Sequence, residues 1–140
     1  MSSVALLNRL ITVHGRSLAV YLASAVPWLR DSQGDAAEVL RVISDDHQRT
    51  TDRLAELIID AGGRIELGGF PMAFTSYHDL SLDYLLTKLI SHQQQDIVEI
   101  QDVVDAAPKG TLVREIAEEA LGAAKGHLES LREISSGCSL

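Results

Sequence analysis

Cysteine is nearly missing from this chain. Cys138, in the tail Ser135-Ser136-Gly137-Cys138-Ser139-Leu140, is its only one, which excludes an internal disulfide and fits a reducing cytoplasm. Its position points to a frayed terminus rather than a reactive or metal-binding thiol. Proline is equally scarce, at 3 residues in 140, as suits a compact helical protein rather than a disordered one. Basic clusters are absent. The formal charge is −8, with acids scattered among Lys and Arg, so no basic face exists to hold nucleic acid. Nor does any stretch reach the ~18–20 uninterrupted apolar residues of a membrane span. The run after Arg16, Ser-Leu-Ala-Val-Tyr-Leu-Ala-Ser-Ala, imitates a secretory core ending at Ala23 and Ala25. No basic region directly follows Met1, however, and Asn8, Arg9, His14 and Arg16 interrupt the apolar residues, so a helix face is expected instead. Phosphate-binding glycine loops, a Gly-x-Ser-x-Gly elbow and paired-cysteine metal motifs are also missing.

What is present is helical period. With 46% apolar and 23% charged residues, residues 1–140 are expected to form one all-α domain large enough for a real core. The first helix is predicted from about Val4 to Trp28, with Leu7, Leu10, Ile11, His14, Leu18, Tyr21, Ala25 and Trp28 on one stripe. Leu6, Val13 and Val20 widen that stripe, while Arg9, Thr12 and Arg16 face away. Pro27 stands in its last turn, and Asp31-Ser32-Gln33-Gly34 reads as the turn that follows. The second helix opens at Asp35, with Glu38 placed for a capping box. It carries Leu40, Ile43, His47, Thr50, Leu54, Leu57 and Ala61 inward and stops at Gly62-Gly63. The third runs from about Asp79 to Ala106, with Leu82, Leu86, Leu89, Gln93, Ile97, Ile100 and Val104 inward. Thr111 caps a fourth, whose stripe is Val113, Ile116, Ala120, Ala124, His127, Leu131 and Ile134.

Loop length sets the expected topology. The first and third connections are short, so they join antiparallel neighbours. The middle one, Gly62 to Tyr77, can extend ~50 Å at ~3.3 Å per residue, whereas a helix of ~27 residues spans ~40 Å. It can therefore run back along the molecule, pinned by Phe70, Met72 and Phe74, giving up-down-down-up order.

Within that frame, His14-x-x-Ser17-x-x-x-Tyr21 resembles the Glu-x-x-Ala-x-x-x-Tyr of the ferritin-like proteins, and Gln93-x-x-Asp96-x-x-x-Ile100 is a similar frame on the third helix. His47-x-x-Thr50 and Ala124-x-x-His127 stand where that superfamily has Glu-x-x-His. The resemblance implies an all-α, ferritin-like four-helix bundle with a long crossover between helices 2 and 3. It also implies six ligand slots, filled here by His14, His47, Thr50, Gln93, Ala124 and His127. His127 alone matches by type. Without bridging carboxylates two ferrous ions lack ligands and charge neutralisation, so ferroxidase activity is not expected.

The histidines suggest a different use. His14, His47 and His127 lie at the centres of three stripes and His92 sits one residue off a fourth. Counted from the loops, all four approach the middle of the bundle, where converging imidazoles can bind Zn, Cu, Ni, Co or Fe. His14, His47, His92 and His127 are therefore the candidate metal ligands, with Gln93 as a possible contributor. A polar core layer that holds helix register is the competing account. His78 is expected to be a surface or capping residue, and Asp45-Asp46 and Glu118-Glu119 solvated helix faces. The small residues Ala120, Gly122, Ala123, Ala124 and Gly126 either let helices approach closely or leave volume for a ligand, a haem between opposed histidines included. Covalent haem is excluded by the lack of Cys-x-x-Cys-His. Two functions follow: a metal-binding protein with a His-rich site, or a non-catalytic helical module for assembly or partner binding. The wide apolar face of the first helix also predicts a homodimer.

Overall fold

The computed structural model describes residues 2–25, 34–77 and 81–138, and among these the regular structure is all helical. In order these are α1 (Ser3–Gly15), α2 (Leu18–Ala25), α3 (Asp35–Asp60), a 3-10 turn (Met72–Tyr77), α4 (Leu82–Ala106) and α5 (Leu112–Cys138). No helix among the described residues is long and apolar enough to cross a membrane. The turn expected at 31–33, Pro27 with Trp28, His78 with Asp79, and the side chain of Leu82 lie outside the described residues.

The first helix, expected to be continuous, is two. Ser17 ends it by acting as the cap of a new one: its Oγ accepts the Val20 N–H at 3.3 Å and its carbonyl accepts the Tyr21 N–H at 3.1 Å. Gly15, a poor helix former, precedes the break. The remaining ends follow ordinary chemistry. Ser2 accepts the Ala5 N–H to start α1, and Thr111 accepts the Arg114 N–H to start α5. The stop after α3 is a Schellman motif, with Gly62 N–H on Ile59 O and Gly63 N–H on Ile58 O. Gly62 takes φ +77°, which a Cβ would strain. The Asp35–Glu38 capping box does not form. Gly34 is the cap residue, without a side-chain bond, and Glu38 pairs with Arg41 at 2.6 Å.

Two apolar clusters fill the interior. One joins Leu6, Leu7, Leu10 and Ile11 of α1 to Leu54 and Ile58 of α3, Ile100, Val103 and Val104 of α4, and Val113, Ile116 and Ala117 of α5. The other joins Leu18, Tyr21 and Leu22 of α2 to Leu40 and Ile43 of α3, Phe74 of the 3-10 turn, Leu85, Leu86 and Leu89 of α4's first half, and Leu131 of α5. On α3 Ile58 is fully buried beside the expected Leu57, which packs partly buried against the first cluster, while Thr50 is half-buried and Ala61 exposed. Ala25 is exposed. Leu6, Val13 and Val20, the basis for expecting a dimer, are buried within the single chain at 1%, 7% and 9% exposure, so that flank offers no association surface.

The segment between α3 and α4 runs along α1 and α2. Gly63 packs so closely on Val4 that a Cβ there would sit 2.6 Å from a methyl group. Asn8 then clamps the chain, its Nδ2 donating to Arg64 O at 2.9 Å and its Oδ1 accepting the Glu66 N–H at 2.8 Å. Leu67 covers Gly15, Gly68 lies beside Arg16, and Phe70 and Phe74 meet the Tyr21 ring at 5.1 and 5.4 Å. Thr12 and Arg16, expected to face solvent, are consequently half-buried beneath it. Met72, at 86% exposure, pins nothing.

Candidate functional site

Between the two apolar clusters lies a polar layer. His14, Ser17, Ser44, His47 and Gln93 are all buried there, each placed along the chain between residues of one cluster and residues of the other. His127 joins them from α5 and is half-buried. The rings of His14 and His47 meet edge to face with centroids 5.2 Å apart, and His47 meets His127 at 6.0 Å. Three of the four histidines expected to converge therefore do so.

Each of these rings is anchored through one nitrogen. His14 Nδ1 lies 2.9 Å from the Leu10 carbonyl; a carbonyl can only accept, so Nδ1 carries the proton and Nε2 the lone pair. His47 Nδ1 is 2.8 Å from Ser17 Oγ. A hydroxyl can donate or accept, so either tautomer of His47 is compatible with that contact. The hydroxyl that caps α2 thus also ties the helix break to α3. His127 Nε2 donates to Asp46 Oδ2 at 2.8 Å, which leaves Nδ1 as the second nitrogen. Asp46, expected on a solvated face, is a member of the layer instead.

Electrostatics keeps the two inner rings neutral. Burial pushes His14 below the ordinary imidazole range, opposed by the Leu10 carbonyl and by Asp46. His47 is lowered to about 3, chiefly by burial and then by His14 and His127. Withdrawal from water penalises the charged form, and neighbouring imidazoles would repel a second proton.

His92 does not belong to this group. Its ring packs on Phe74 at 5.2 Å and Tyr77 at 6.4 Å, and burial, with Lys88 nearby, lowers its pKa. One step off the inward stripe is a rotation of about 100° around the helix, enough to turn the ring toward the crossover. Gln93 is inward but committed, donating to the Ala124 carbonyl at 3.0 Å. His92, Gln93, Asp96 and Ser17 instead border a cavity of about 10 Å³ with Leu18, Ala19, Ile43, Leu89 and Leu131, enough for about one water. There burial, followed by Glu99, raises the Asp96 carboxyl to about 8.

The residues present do not fit a two-iron carboxylate centre. Gln93 and Ala124 supply no anionic ligand, Asp46 is engaged by His127, and Asp96 is held protonated at neutral pH. Haem has no room prepared by the small residues of α5 either, because Gly122, Ala123 and Gly126 are exposed on its outer side. Ala120 and Ala124 alone of that set are buried. Among the described residues, no group of three or more His, Cys, Asp or Glu is arranged to hold a metal ion as it stands. No family model matches the chain, and no curated protein and no solved structure matches it either.

Proposed function

We propose that this protein is a ferritin-like four-helix bundle, α1 and α2 counting as one rod, in up-down-down-up order, and that it binds one transition-metal ion through His14, His47 and His127. The single observation that carries the metal reading is the anchoring of all three rings. A metal-binding imidazole commonly donates its other N–H to a carbonyl, hydroxyl or carboxylate, which fixes the ring and raises its basicity. Leu10 O, Ser17 Oγ and Asp46 Oδ2 supply one such partner each. The nitrogens available to a metal are then Nε2 of His14, Nε2 of His47 and Nδ1 of His127, which would draw together through small shifts of the helices that keep each anchor. Three imidazoles on a dication suit Zn, Cu, Ni or Co, and Asp46 places one negative charge beside them. The topology is supported by the division of the helix ends between the two clusters and by the path of the crossover from Val4 to Tyr21.

Untagged protein reconstituted separately with Zn, Cu, Ni and Co, then desalted, should retain one equivalent of at least one metal by mass spectrometry. His47→Ala should abolish retention, and Asp46→Asn should weaken it by about 10- to 100-fold. Unchanged metal content in His47→Ala, with lower stability, would instead mark the histidines as a hydrogen-bonded layer holding helix register.

A further inference from the structure

Ser17 Oγ has two partners in the helix break, the Val20 N–H at 3.3 Å and His47 Nδ1 at 2.8 Å. A hydroxyl has two lone pairs and one proton, so the tautomer of His47 decides where that proton goes. With the His47 proton on Nε2, Ser17 donates to Nδ1 and the ring buries an N–H in the imidazole layer. Among the described residues no acceptor lies within hydrogen-bond distance of that Nε2, and a buried donor left unpaired is costly. With the proton on Nδ1, Ser17 accepts from both partners and its own O–H is left to donate elsewhere.

The small cavity among α2, α3, α4 and α5 supplies the acceptor. Its volume of about 10 Å³ suits one water, which needs about two to four polar partners. Ser17, His92, Gln93 and Asp96 all border it. Gln93 Nε2 is taken by the Ala124 carbonyl at 3.0 Å, so its Oε1 remains as an acceptor. Asp96 is half-buried and, among the described residues, forms neither a hydrogen bond nor an ion pair. Burial and Glu99 keep its carboxyl protonated at neutral pH, in which form it both donates and accepts. A bridging water is nearly as good a partner as a direct hydrogen bond.

We propose that this cavity binds one water joining the Ser17 hydroxyl to Gln93 and Asp96, and that Asp96 is thereby a positioning residue for His47. The water accepts the Ser17 O–H and donates to Gln93 Oε1 and to the carbonyl oxygen of the Asp96 carboxyl. Ser17 is then an acceptor toward His47, the proton of the ring sits on Nδ1, and Nε2 keeps its lone pair. The linkage runs from α4 through the helix break to α3. Neither the water nor the tautomer requires a metal; only the use of Nε2 as a ligand rests on the metal reading.

The test uses the full chain, metal-free, near neutral pH. Ring-nitrogen NMR distinguishes a protonated nitrogen from one bearing a lone pair. His47 should favour the Nδ1–H tautomer by at least roughly tenfold, the preference that an unpaired buried N–H imposes. Asp96→Asn, which keeps a donor and an acceptor, should preserve that preference. Asp96→Leu, similar in size but without polar atoms, should lower it about tenfold or reverse it, with the helical circular dichroism unchanged. A crystal structure of the parent chain should show one water within hydrogen-bond distance of Ser17 Oγ and the Asp96 carboxyl. An Nε2–H tautomer in the parent, a cavity without water, or an unaltered His47 in folded Asp96→Leu would overturn the proposal. The first two need no variant to fold. A parent that retains no metal yet shows the water and the Nδ1–H tautomer would sink the metal site and leave this one standing.

Discussion

Asp96→Asn should stabilise this protein, and the gain should grow with pH. Asp96 lies on α4 against the small cavity behind Ser17, among Leu18, Ala19, Leu89 and Leu131. Withdrawal from water and then the repulsion of Glu99 lift its carboxyl to about 8. An unfolded chain releases the same proton near the ordinary carboxylate value of ~3.9. Between those limits the folded state binds one proton more than the unfolded state, so stability present at low pH is lost as pH rises. Each pH unit in that window costs about 1.4 kcal/mol for one proton. The penalty at pH 7 is then on the order of 2–4 kcal/mol, the lower part of that range allowing for water entering the cavity.

Asparagine has nearly the shape of the protonated acid and no charge to bury. Urea unfolding followed by far-UV circular dichroism should give nearly equal stabilities for the variant and the parent at pH 4. The two should diverge steadily to pH 8, with the parent falling behind. Histidine titration affects both proteins alike, so the difference isolates Asp96. A difference that does not change between pH 5 and 8 would refute the reasoning, as would a carboxyl carbon of Asp96 titrating near pH 4 by NMR.

Acid should act through the imidazoles with the opposite sign. His14 and His47 are held below their unfolded value of about 6.5, so their stability is complete above that pH and is lost as pH falls toward the folded values. His47→Gln should flatten the acid limb of unfolding by up to about 1.4 kcal/mol per pH unit. Ser17→Ala removes both the α2 cap and the His47 contact; chemical denaturation should show a loss of about 2 kcal/mol. Asn8→Ala releases the crossover at Arg64 and Glu66. A cost of about 1–3 kcal/mol is expected, with the Glu66 amide exchanging with solvent far faster than the interior of α3.

The helices were legible because their punctuation is local. Gly62-Gly63 stops α3 through two backbone bonds, and Thr111 caps α5 through its own hydroxyl, so neither depends on distant residues. The break at Ser17 was hidden by the same periodicity that revealed the helix. Leu10, His14, Leu18 and Tyr21 keep three- and four-residue spacing across it, and α2 continues in nearly the same inward sense. The available signal was Gly15 followed by Ser17, a hydroxyl placed three residues before Val20. On α3 the buried Ile58 joins the expected Leu57 at the core, because an inward face read at one period drifts around the helix as it extends. Burial of Thr12 and Arg16 could not be seen from α1 alone, because it is caused by the crossover laid over them.

The site divides along the same line. His14, His47 and His127 share the layer because inward phase and distance from the loops are properties of each helix separately. Asp46 was invisible for the converse reason: it sits one residue, about 100°, from His47, and reaches His127 only through the rotation of α3 relative to α5. That contact sharpens the contrast between the two functional readings. A layer serving register can be held by polar side chains bonded to one another. Here the rings meet edge to face instead, and the partners of His14, His47 and His127 are a carbonyl, a hydroxyl and a carboxylate. Those partners satisfy one nitrogen of each ring, as any buried imidazole requires, and do so without using the second nitrogen. Removing the Asp46 carboxylate therefore separates the readings better than removing a ring. In a register layer it costs stability alone, whereas in a metal site it lowers affinity even where the folded state is unharmed.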